Sequence, residues 1–113
     1  MTDDAATETY AFALKLRPGM ATEYKKRHDE IWPEMTAMLL GSGILRYEIY
    51  LDEASHTLFA HILRRVDHTM PANRDNPVMQ RWRAHMADVL VMEGDFAVSY
   101  PLPRMFALEA PKA

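Results

Sequence analysis

Ile44-Leu45-Arg46-Tyr47-Glu48-Ile49-Tyr50-Leu51, then Asp52-Glu53-Ala54-Ser55, then His56-Thr57-Leu58-Phe59-Ala60-His61-Ile62-Leu63-Arg64-Arg65 is the stretch on which the fold turns. Leu45, Tyr47, Ile49 and Leu51 alternate with Arg46, Glu48 and Tyr50, the period of a strand with two unlike faces. The polar run at 52–55 reads as a turn, and a second β-rich run follows it directly. Two such runs joined so closely make an antiparallel hairpin.

On the N-terminal side of this hairpin lies a helical pattern. Met20, Tyr24, His28, Ile31, Met35 and Met38 are spaced four, four, three, four and three residues apart, which predicts one apolar helix face running to about Leu40, where Gly41-Ser42-Gly43 stops it. Pro33 falls inside this pattern, so a kink is expected near His28 and Trp32. Pro18-Gly19 separates the helix from an earlier strand at 8–16, with Tyr10, Phe12, Leu14 and Leu16 on one face and the smaller Thr9, Ala11 and Ala13 with Lys15 on the other. On the C-terminal side, 67–76 is polar and carries Pro71, hence irregular or at most a short helix. Asn76-Pro77 supplies a cap and a first-turn proline for a second helix whose inward stripe would hold Val78, Trp82, His85, Met86 and Val89. After Met92-Glu93-Gly94-Asp95 the chain reads as extended, ending in the apolar Met105-Phe106-Ala107-Leu108. Strand, helix, strand, strand, helix, strand is the α+β, ferredoxin-like split β-α-β order. Helices on one side leave the other sheet face to be covered, so a homodimer packed sheet to sheet is expected.

At 113 residues the chain fits a single domain over 1–113, with about 1–7 and 110–113 as flexible termini. Apolar residues are 49% and charged residues 26%, the balance of an ordinary globular domain. Net charge is -3 and the one basic run is Lys25-Lys26-Arg27, so no nucleic-acid footprint is present. The absence of cysteine excludes disulfides, thiolate catalysis and Cys-based metal sites. No apolar run approaches membrane length and Met1-Thr2-Asp3-Asp4 is unlike a signal peptide, which makes the cytoplasm the default. Neither a Gly-rich phosphate loop nor a nucleophile elbow occurs.

The residues suited to chemistry converge on the layer between sheet and helices. Tyr24 and His28 share a face of the first helix, Tyr47 projects from the second strand, and Trp82 lies on the second helix. Aromatic faces with hydroxyls, an imidazole and an arginine suit a sugar or another small polyol. On spacing alone a lone histidine on an apolar helix face is more often a hydrogen-bonded core residue, and Tyr47 and Trp82 are more often packing. Asp29, Glu30 and Glu34 read as a solvated acidic face. His56 and His61 fall on opposite faces of their strand and His85 stands apart, so no metal-ligand spacing emerges.

Tyr24-Lys25-Lys26-Arg27-His28-Asp29-Glu30-Ile31-Trp32-Pro33-Glu34-Met35, with Tyr47-Glu48-Ile49-Tyr50-Leu51-Asp52 and Gln80-Arg81-Trp82, resembles the L-rhamnose mutarotase family, collinearly from about Tyr10 to Phe106. The resemblance implies a dimeric α/β barrel that interconverts the α and β anomers of L-rhamnose with no cofactor and no metal. It implies His28 as proton donor and Tyr24, Tyr47 and Trp82 as sugar-binding positions. Arg83, expected as a further substrate-binding position, stands where the family often has a second tryptophan, a departure that bears on the shape of one pocket wall and on the range of sugars accepted. Met70-Pro71-Ala72-Asn73 also replaces a more helical stretch of the family. Two other readings suit the same fold: a cofactor-independent monooxygenase or haem-degrading enzyme, and a non-catalytic sugar-binding module.

Overall fold

The computed structural model describes residues 6–111, so the N-terminal segment expected to be flexible lies largely outside the described residues. Strand β1 (Thr7–Lys15) is followed by helices α1 (Ala21–Asp29) and α2 (Pro33–Gly41), the hairpin β2 (Ile44–Asp52) and β3 (Thr57–Arg65), a 3₁₀ turn (Met70–Asp75) and helix α3 (Pro77–Met86). The short strands β4 (Met92–Glu93) and β5 (Phe96–Ala97) pair with each other, and β6 (Ser99–Leu102) completes the main sheet. That sheet has the order β2-β3-β1-β6 with every neighbour antiparallel, the arrangement of a split β-α-β unit.

Three expectations are corrected by the structure. The long helix is two helices, because Pro33 cannot donate a backbone hydrogen bond and forces Trp32 into an extended conformation (φ -66°, ψ 138°). Pro33 instead opens α2 at its first position. In β2 the register slips between Ile44 and Arg46, so Leu45 leaves the inward row and is half exposed. The apolar C-terminal stretch is no strand: pairing with β1 ends at Leu102, just before Pro103, and Met105, Phe106 and Leu108 are exposed. The hairpin, the 3₁₀ turn within 67–76 and the Asn76 cap are as expected; the Asn76 side chain accepts from the Val78 amide at 2.9 Å.

The inward sheet face carries Leu14, Ile49, Leu51 and Leu58. They pack with Leu16 and with Tyr24, Met35, Trp82 and Met86 from the three helices. Arg27 pins α1 to the end of α3, donating to the His85 carbonyl at 2.6 Å and to Asp88 at 2.7 Å. Buried Asn73 donates to Ser42 Oγ at 3.0 Å, tying the 3₁₀ turn to the end of α2. The opposite face is a row across four strands, Tyr50, Phe59, Ala13 and Tyr100, with the next row formed by Glu48, His61, Ala11 and Leu102. Its three aromatic rings are partly exposed.

Candidate active site

Tyr24 and His28 are one helical turn apart on α1, and the turn stacks them: ring centroids are 4.3 Å apart at 29°. Tyr24 is buried and His28 half-buried. His28 Nδ1 lies 3.2 Å from the Tyr24 carbonyl oxygen. A carbonyl only accepts, so in this bond Nδ1 carries the hydrogen and Nε2 of a neutral ring bears the lone pair. Trp82, buried on α3, meets the imidazole edge-on at 5.4 Å. Tyr47 reaches the same place from β2 and meets Phe12 edge-on at 6.4 Å.

Two concavities share these residues as lining. An open groove of about 1140 Å³ lies between the α1–α2 pair and β2. A smaller cavity of about 190 Å³ is lined by all five residues singled out from sequence: Tyr24, His28, Tyr47, Trp82 and Arg83. Its other walls are apolar, from Leu14, Met86, Leu90, Met92 and Ala97. The smaller space is on the scale of one small molecule, below the roughly 300–1,000 Å³ of drug-sized ligand sites. Arg83 contributes to the wall, but its guanidinium donates to the Arg74 carbonyl at 2.9 Å and lies 4.7 Å from the Phe96 ring centre.

Electrostatics separate the roles these groups can take. Burial lowers the His28 pKa below its ordinary 6.5, outweighing the hydrogen bond to Tyr24 and the nearby charge of Asp29, so the ring is mainly neutral at pH 7. Burial raises both phenols, Tyr24 most strongly and Tyr47 to about 12. Tyr47 is still 37% exposed as a residue, so its shift reflects the packing around the hydroxyl rather than enclosure of the whole ring. Both phenols therefore stay protonated at neutral pH and can donate hydrogen bonds. Glu30 and Glu34 point to solvent, Glu30 paired with Lys26 and Glu34 with Arg81, as expected for an outer acidic face. Among the described residues no group of three or more His, Asp or Glu side chains could hold a metal ion, and no helix is long and apolar enough to cross a membrane.

The family model described as L-rhamnose mutarotase matches residues 9–108. An L-rhamnose mutarotase of Brucella anthropi is 51% identical over 88 residues, 78% of this chain and 83% of its own length. One from Mesorhizobium japonicum is 49% identical over 100 residues, 88% of this chain and 95% of its own. The crystal structure of L-rhamnose mutarotase FA22100 from Formosa agariphila superposes with a TM-score of 0.81 at 35% identity, over 90% of this chain and 99% of that one. The chain belongs to the L-rhamnose mutarotase family.

Within this mutarotase-family fold, sequence reasoning missed two neighbours of Trp82. Trp32 stands perpendicular to the Trp82 indole at 5.1 Å, and His85 lies 5.5 Å from it. Trp32 precedes the proline that splits the helix, a signal visible in sequence. His85 is three residues from Trp82 on α3 and is exposed rather than inward, because the buried stripe runs through Trp82 and Met86. Met92 and Ala97 had no sequence signal. A two-residue strand pair places them on the cavity.

Proposed function

We propose that this protein is an L-rhamnose mutarotase, an isomerase that interconverts the α and β anomers of L-rhamnopyranose. The observation that carries this reading is the neutral-leaning His28, stacked on Tyr24 and edge-on to Trp82, on the wall of a cavity suited to one monosaccharide. Ring opening removes the proton of the anomeric hydroxyl, breaks the bond between C1 and the ring oxygen as the C1 carbonyl forms, and protonates the ring oxygen. Rotation about C1–C2 and the reverse steps close the ring on the other face. Neutral His28, with Nδ1–H held by the Tyr24 carbonyl, takes the hydroxyl proton on Nε2 and returns it to the ring oxygen, so one residue serves as base and then as proton donor. Positioned proton transfer of this kind is worth about 10²–10⁴ in rate. Tyr24 and Tyr47 donate to sugar oxygens, Trp82 covers C–H faces, and Arg83 shapes the wall.

The remaining expectations belong to the same reading. The whole chain acts as one mutarotase domain in the cytoplasm, and two copies pack through the Tyr50–Phe59–Ala13–Tyr100 face into a dimeric α/β barrel. Exchange NMR on equilibrated L-rhamnose, following both anomeric signals with and without protein, tests the activity. Faster exchange that largely disappears in His28→Asn, with binding retained, is the expected result. Binding without acceleration would point to a sugar-binding module, and full activity in His28→Asn would remove His28 from the mechanism.

A further inference from the structure

Helix α1 is nine residues long and buries one of them, Tyr24. Every α1 residue except Glu23 and Arg27 lines the open groove, so the helix that carries His28 borders that groove along most of its surface. Glu23 and Arg27, one turn apart, form the row that turns to α3 instead.

Arg27 makes that contact with all three guanidinium nitrogens. Nε donates to Glu23 at 2.8 Å, one terminal nitrogen to the His85 carbonyl at 2.6 Å and to Asp88 Oδ1 at 2.7 Å, and the other to Asp88 Oδ2 at 3.2 Å. A planar fork can bind a carboxylate through two parallel bonds while its third nitrogen holds a neighbour, which the single ammonium of lysine cannot copy. The segment that carries Asp88 is itself anchored. Arg17, ahead of α1, donates from Nε to the Leu90 carbonyl at 2.7 Å and from its amide to the Val89 carbonyl at 3.0 Å. Asp88 lies just past α3, the helix of Trp82, whose ring meets the His28 imidazole edge-on at 5.4 Å. His28 follows Arg27 directly in the chain, so any shift of α1 along α3 moves the imidazole relative to Trp82.

We infer that Arg27, bound by Asp88 and the His85 carbonyl, is a positioning residue for the reaction: it fixes α1 against α3 and so holds His28 in place on the cavity wall. This rests on the mutarotase reading above. Arg27 lines neither concavity and acts only through its neighbour. Misplacing a reacting group by about 1 Å can cost on the order of 10²-fold in rate. Loosening α1 also lets water reach the imidazole, and because burial is what lowers the His28 pKa, the acid limb of activity then moves up toward its ordinary 6.5. The other charged or titratable groups around His28 are Tyr24 and Asp29 on α1, Tyr47 from β2, and Arg83 and His85 on α3. None of their side chains bonds to Arg27, so breaking the bracket leaves their own partners in place.

The test follows L-rhamnose anomer exchange by NMR from about pH 5 to pH 8, with chemical denaturation of each variant alongside. Arg27→Met and Asp88→Asn are expected to lower kcat by roughly 10- to 100-fold, with KM changed less, and to move the acid limb upward. Asp88 is exposed, so Asp88→Asn breaks the bracket without opening the core. Arg27→Lys keeps the charge without the fork and should fall short of the wild-type rate. Lys26→Met removes a neighbouring cation whose ion pair is with Glu30, within its own turn, and should leave rate and limb unchanged. A pure charge effect predicts otherwise: losing the Arg27 cation raises the His28 pKa, whereas losing the Asp88 carboxylate lowers it. An upward limb in both variants supports positioning. Opposite shifts, or kcat within about twofold of wild type in both, overturn the inference while leaving the mutarotase reading intact. Gly43→Ala, destabilised at the α2–β2 junction, is expected to keep the wild-type limb; the same upward move there would make the limb a measure of stability and overturn the inference. No acceleration by the wild-type protein overturns the mutarotase reading and this one with it.

Discussion

His28 shows how surroundings change the chemistry open to an ordinary residue. On the helix it is one more member of an apolar stripe. Stacked on Tyr24, bonded through Nδ1 to the Tyr24 carbonyl and partly desolvated, it becomes a base available at neutral pH. Because burial lowers its pKa, the folded protein binds fewer protons at this site than the unfolded chain. Stability from this group is therefore full above the unfolded value of about 6.5 and falls as the pH drops below it. Activity should follow the neutral form: the exchange rate is expected to be flat near pH 7 and to fall on an acid limb centred below 6.5, a limb absent from the residual rate of His28→Asn. Tyr47 has the opposite character, since a phenol raised to about 12 donates rather than abstracts. Tyr47→Phe should weaken L-rhamnose binding about tenfold, the worth of one hydrogen bond, and change kcat less; KM and kcat from initial anomerisation rates separate the two.

At the scale of elements, small backbone devices bring the site together. The break at Glu30-Ile31-Trp32 ends α1 just past His28 and turns Trp32 onto Trp82. Asn76 starts α3 by accepting from the Val78 amide, and the helix it opens buries Trp82. Asn76→Ala should cost about 1 kcal/mol in chemical denaturation with the denaturant slope unchanged. Gly43 links α2 to β2 at φ +105°, where an added Cβ would stand 3.0 Å from both His68 Cα and Cβ. Gly43→Ala combines a left-handed strain with a backbone clash and should cost on the order of 1–3 kcal/mol, read as a lower midpoint in the same titration.

At the scale of the whole molecule, the exposed aromatic row on the back of the sheet is the feature a monomer does not explain. Tyr50, Phe59 and Tyr100 flank Ala13, which has no exposed surface of its own. Apolar rows of this kind are usually covered by a partner. Light scattering should give a dimer mass for the protein, and Phe59→Asp should shift it to the monomer; a monomer mass for the unaltered protein would refute the dimeric barrel.

Much of this was legible from local chemistry. Period-two alternation located β1, β2 and β3, Asn76-Pro77 located α3, and the 24–35 stretch carried the family resemblance with Tyr24 and His28 in register on one face. Those features depend on residues near in sequence, whose backbone preferences and spacing act before any tertiary contact. Other features depend on distant partners. Trp32, turned out by Pro33, meets Trp82 only in the folded chain, and Leu45 leaves its row because of the register with β3. His85 is exposed because α3 docks through Trp82 and Met86. Met92 and Ala97 reach the cavity only because a two-residue strand pair packs them against the core, so no local pattern encodes their place. Sequence by itself determined which side chains were available for the chemistry and that Tyr24 and His28 share one helix face. Tertiary structure decided which of them share one cavity, because that depends on packing between segments up to 83 residues apart, from Leu14 to Ala97.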